Sequence, residues 1–90
     1  RNAYLTNDER QKALNISKAL NIASREVTQG VLDIDKIINL MEQQLFGIEI
    51  EYIKIVDREF KYLNEIKINN TIILVAVKIG KTHLIDNIWL

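Results

Sequence analysis

Thr71-Ile-Ile-Leu-Val-Ala-Val-Lys-Ile79, followed by Gly80-Lys-Thr-His-Leu-Ile-Asp-Asn-Ile88, decides how the rest of the chain is read. Its first part is the longest nearly unbroken apolar run, rich in β-branched residues and bounded by Asn69-Asn70 and Gly80. A run of that kind predicts a strand buried on both faces, hence the central strand of a sheet. Side chains alternate along a strand, so Ile73, Val75, Val77 and Ile79 share one face and Ile72, Leu74 and Ala76 the other. Each face then needs a cover. Gly80-Lys81-Thr82 supplies a tight connection and His83 to Ile88 a returning strand, which makes the sheet antiparallel with at least three strands.

The cover lies upstream. Thr6 with Glu9 has capping-box spacing, and Asn7, Asp8 and Glu9 place polar and negative groups where a helix dipole favours them. Leu5 and Arg10 do not form a hydrophobic staple. Ala13, Ile16, Leu20, Ala23 and Val27 recur at steps of three and four, Leu14 and Ile22 widen that face, and Gly30 closes it in the left-handed conformation. The spacing predicts a helix over residues 7 to 29. Asp33 or Asp35 caps a second helix whose apolar positions are Ile34, Ile37, Ile38, Met41 and Leu45, with Gly47 ending it. The short link between Gly30 and Asp33 puts both helices on the same side of the sheet.

Ile48 to Val56 reads as another strand, with Glu49 and Glu51 toward solvent and a phase slip near Tyr52-Ile53. A bulge explains the slip; partial cover on both faces is the alternative. Asp57 to Ile66 reads as a crossing loop with a helical turn, Phe60 and Leu63 tucked inward. The fold class is therefore α+β, a small antiparallel sheet of about three strands with two helices packed on one face.

Ninety residues make a single domain, 1–90, with a single core. The 12 basic and 12 acidic residues balance, and no basic stripe occurs, which argues against nucleic acid or an anionic membrane as partner. With no cysteine and His83 as the only imidazole, disulfides are excluded, zinc is disfavoured, and a reducing, cytoplasmic setting fits. No apolar run approaches the ~20 residues that span a bilayer, so a soluble protein is expected. The chain opens at Arg1 in a polar segment, as expected of a piece of a longer polypeptide.

Autonomous chemistry finds little support. One histidine and no cysteine do not assemble a nucleophile, base and orienter. Gly80-Lys81-Thr82 lacks the earlier glycine of a phosphate loop, since Val75 stands there. Asp33, Asp35 and Glu42 are explained by capping and solvation better than as metal ligands. His83 reads as an exposed strand-edge residue, and Asp86-Asn87 as a structural turn or bulge with internal hydrogen bonds.

Arg1-Asn2 with Tyr4-Leu5-Thr6, Glu9-Arg10, Ala13 and Leu20, then Ile50-Glu-Tyr-Ile53 with Ile55-Val-Asp57, then Gly80-Lys-Thr-His-Leu-Ile-Asp-Asn87, resembles the C-terminal domain of the pantothenate synthetase (pantoate–β-alanine ligase) family. The likeness covers the whole chain. It implies a lid that closes over the nucleotide site of a Rossmann-like N-terminal domain absent here. It implies further that Arg1 contacts the phosphates of ATP and of a pantoyl adenylate. The implied partners are pantoate, β-alanine and ATP, with Mg²⁺ and most of the nucleotide contacts in the other domain, the whole enzyme a homodimer and the fragment alone inactive. His83 departs from the resemblance, because arginine is usual at that position. The alternative is a non-catalytic α+β interaction module, which would expose an apolar sheet face, whereas a lid would present polar groups beside the N-terminal junction.

Overall fold

The structure, a computed structural model, describes residues 6–90. Helix α1 (Asn7–Thr28) and helix α2 (Ile34–Gln44) precede three strands, β1 (Glu49–Val56), β2 (Ile72–Ile79) and β3 (Thr82–Trp89). The strands form one antiparallel sheet in the order β1-β2-β3, so the apolar run does occupy the centre.

Local chemistry sets the helix ends. Thr6 and Glu9 form the reciprocal capping box, with the Glu9 N–H donating to Thr6 Oγ1 at 3.1 Å and the Thr6 N–H to Glu9 Oε1 at 3.0 Å. At the other end Gly30, with φ +99, allows a Schellman closure in which the Gly30 N–H donates to the Val27 carbonyl and the Val31 N–H to the Glu26 carbonyl. Asp33, not Asp35, caps α2, its Oδ1 accepting from the Asp35 and Lys36 amides. That helix stops at Gln44 with Leu45 as C-cap, two residues before Gly47. Leu5 lies outside the described residues, and the expected lack of a staple with it.

The core lies between the helices and one face of the sheet. Ile73, Val75, Val77 and Ile79 of β2 join Ile55 of β1 and Leu84 of β3 in a buried cluster with Ile16, Ala19, Leu20, Ala23 and Val27 of α1 and Ile37 and Met41 of α2. Burying such aliphatic side chains is worth about 1.5–3 kcal/mol each. Leu14, read as part of this face, is instead exposed, because neither α2 nor the sheet reaches that side of α1.

The second face has no helical layer. Ile72 and Ala76 are nonetheless buried, and the side chains that flank them across the strands are Val56 and Trp89 for Ile72, and Tyr52 and Ile85 for Ala76. The two-sided burial expected of β2 thus holds at Ile72 and Ala76, with Leu74 half-buried, and on this face it is supplied by the sheet's own large residues. Arg58 lies over the Trp89 ring at 5.1 Å and Lys54 over the Tyr52 ring at 4.6 Å, adding long side chains to that cover.

Three further expectations need correcting. The segment after β1 contains no helical turn. Asp57 organises it, its Oδ1 accepting from the Glu59 and Lys61 amides, and Phe60 sits exposed at φ +63, so the buried anchor of this crossing is Ile66. Asp86-Asn87 is not a turn or bulge, since β3 pairs with β2 in unbroken register there. Its internal hydrogen bonds do form, the Asn87 N–H to Asp86 Oδ1 and Trp89 Nε1–H to Asn87 Oδ1.

Val75 is fully buried at the middle of β2. An unpaired carboxylate there costs several kcal/mol, on the scale of the roughly 5–15 kcal/mol that holds a domain folded. Val75→Asp should abolish cooperative thermal unfolding followed by circular dichroism; a soluble variant with a sharp transition would contradict the core assignment.

Candidate functional site

Gly80-Lys81-Thr82 and His83 lie at one end of the molecule, whereas Asp33 and Asp35 sit at the start of α2 and Asp86-Asn87 farther along β3. At the Gly80 end the N-terminus of α1, the β2–β3 turn and the start of β1 lie together. The turn is built on Ile79-Gly80-Lys81-Thr82, with Ile79 and Thr82 paired and Gly80 at φ +61, a backbone suited to the first central position of a type II′ hairpin. Glu9 of α1 lies directly over this glycine: a β-carbon at position 80 would collide with the Glu9 Oε2 and stand 3.1 Å from its Cδ.

The start of β1 contributes a bulge. Ile50 pairs with Val77 and Tyr52 with Ala76, which leaves Glu51 as the extra residue. The phase slip read from the sequence is this bulge, one residue earlier than expected. Glu51 meets His83 across the central strand, both of its carboxylate oxygens standing 2.9 Å from His83 Nδ1. His83 is 59% exposed on the edge strand, as expected, yet it has a partner that sequence reasoning missed. Alternation from Ile50, whose partner Val77 faces the core, puts Glu51 on the open face, but only the pairing of the strands shows which residue of β3 it meets there. Lys78 lies between them in register, paired with Glu49 on one side and His83 on the other.

This end is polar. Thr6, Asn7, Asp8, Arg10, Gly80, Lys81 and His83 are exposed. At the α1 N-terminus the capping box engages the Thr6 and Glu9 amides. Arg1, the phosphate-binding residue implied by the resemblance, lies outside the described residues. Asp33 is committed to its cap, and among the described residues no three His, Cys, Asp or Glu side chains converge to hold a metal. No helix among them is long and apolar enough to cross a membrane.

A family model described as pantoate-beta-alanine ligase matches residues 1–89. The chain belongs to that family. Pantothenate synthetase of Sulfurimonas denitrificans is 46% identical over 90 residues, covering 100% of this chain and 33% of the relative. That of Campylobacter curvus is 45% identical over 89 residues, again 33% of its length. A crystal structure of pantothenate synthetase from Thermus thermophilus superposes with a TM-score of 0.85 at 25% identity, over 98% of this chain and 33% of that one. The chain therefore spans about a third of the length of the ligases it matches, and its match is to their C-terminal part.

The His83–Glu51 contact is a surface pair, and such pairs contribute little in water. His83→Ala should lower stability by less than about 1 kcal/mol in urea titrations. A loss of several kcal/mol would mean that the pair holds β1 and β3 in place.

Proposed function

We propose that this chain is the C-terminal closing domain of a pantothenate synthetase, which joins pantoate to β-alanine at the expense of ATP. The observation that carries this reading is the family match over residues 1–89, made by a chain that spans only a third of its relatives. In the reaction, the pantoate carboxylate attacks the α-phosphorus of ATP and expels pyrophosphate. The amine of β-alanine then attacks the acyl carbon of the pantoyl adenylate and releases AMP. A Rossmann-like domain, outside this chain, holds the nucleotide and pantoate. Magnesium belongs with that domain in this reading, as the family likeness implies.

What the present chain adds is closure. An acyl adenylate is open to water, and a domain that shuts over it excludes the competing hydrolysis. Arg1, at the junction, presents a planar fork of donors suited to phosphate oxygens. The enzyme so formed is a cytoplasmic homodimer whose subunit contacts lie mainly in the other domain; the family likeness supports this.

The interaction-module reading has one observation in its favour, the exposure of Ile85 (61%) and Trp89 (53%) on the open sheet face. The polar junction end favours the closing domain, and the family match outweighs a mixed face that also carries Lys54, Lys78 and His83.

Arg1 is testable in the full-length enzyme. Charge builds on the phosphates during adenylation, so Arg1→Ala should slow pyrophosphate release, with kcat/KM down on the order of tens to hundreds of fold. Arg1→Lys should recover only part, because it keeps the charge and loses the fork. Melting curves should stay near wild type for both. If Arg1 only orients the hinge, alanine and lysine will be equally harmful and the melting temperature will fall with activity.

A further inference from the structure

One face of the sheet carries no layer, and large apolar side chains gather on it. Tyr62 bridges to Val56, which pairs with Ile72 and through it with Trp89, and residues paired across antiparallel strands share a face. The row Tyr62-Val56-Ile72-Trp89 therefore crosses the whole open side, with Ile85 on the same face toward the hairpin. Tyr62, Ile85 and Trp89 remain exposed there. The helices offer nothing comparable, since among the described residues of α1 and α2 only Leu14 is a large apolar side chain left exposed. Apolar side chains gathered on one face and rimmed by polar ones mark an interaction surface.

We propose that this open face is the surface on which the domain seats against the preceding, nucleotide-holding part of the same polypeptide when it closes. This rests on the proposed function. The first argument for that occupant is length: the chain spans 33% of the ligases it matches, in their C-terminal part, so the rest of the polypeptide is tethered to this domain. The tether enters at the start of α1, beside the β2–β3 turn, where the open face begins. The second argument is size. Three strands about 4.8 Å apart and eight residues long present a face of roughly 400 to 600 Å² once side-chain relief is included. Two copies stacked on it would bury roughly 800 to 1,200 Å², at or below the lower limit of a stable complex. The same area suits domains of one chain, joined through roughly 600 to 1,500 Å², where the tether supplies the effective concentration. The third is polarity. Glu49, Lys54, Lys78 and Arg58 set both signs of charge around the apolar row, the composition of an interface that parts and re-forms.

The experiment reads solvent access at single cysteines in the full-length enzyme, by maleimide labelling mapped to each position with mass spectrometry. Ile85→Cys and Asn87→Cys report the open face, and Lys18→Cys reports the outer side of α1; all three positions are exposed, so their melting curves should match the wild type. With ATP and pantoate together, labelling at 85 and 87 should slow by about tenfold or more, while 18 keeps its rate. The slowing should be the same at every enzyme concentration. Slowing at 18, alone or with the other two, would overturn the choice of face while leaving a closing domain. No slowing at any of the three would remove closure itself, and this inference with it. Slowing that grows with enzyme concentration would give the face to a second copy and overturn the intramolecular seat.

Discussion

Ile73, Val75, Val77 and Ile79 point from the middle strand into the buried ridge of α1, and every other arrangement in the domain follows from that contact. A strand with edges on both sides has its backbone groups paired by β1 and β3, which leaves its side chains as the only free variable. One set is buried by a 22-residue helix long enough to run the length of the sheet. α2 then completes the same core through Ile37 and Met41, and the long crossing between β1 and β2 is pinned by Ile66, whose amide donates to the Leu32 carbonyl at 3.0 Å. Thr71, fully buried at the entry to β2, closes its own hydroxyl onto the Lys67 carbonyl and amide and so enters the core without an unpaired polar atom.

What was legible in the sequence was local or periodic. Thr6 and Glu9 announce a helix start because their bonds are three residues apart, whereas Asp33 and Asp35 both fit the start of α2 and only the structure singles out Asp33. The apolar period of α1 marks its inward face, but it also admits Leu14, because period alone does not say how wide the neighbouring layer is. Phe60 misled in the opposite way. Its bulk suggests the core, while the Asp57 turn needs a left-handed residue at that point and puts the ring in water. Asp86-Asn87 looked like a break because polar residues interrupt an apolar stretch. Asn87 lies opposite Leu74 on the open face, while Asp86 lies opposite Val75 on the helix side, half-buried at the sheet's edge with its Oδ1 accepting from the Asn87 amide, so the strand runs on through both.

The functional end was legible only in part. Gly80-Lys81-Thr82 reads as a turn from composition, but the seat of Glu9 on Gly80 joins residues 71 positions apart in sequence, and no periodicity reports such a contact. The Glu51–His83 pair is similar, since it spans the central strand and depends on how three separate strands align. Both lie where the junction enters the domain.

The claim that this domain closes over a nucleotide is tested most directly by hydrogen–deuterium exchange on the full-length enzyme, with and without ATP and pantoate together. Closure predicts slower exchange at residues 6–10 and 79–83 when both substrates are present, while the centre of β2, already protected by burial, stays unchanged. Substrate protection confined to the rest of the polypeptide, with residues 6–10 and 79–83 exchanging as before, would contradict it.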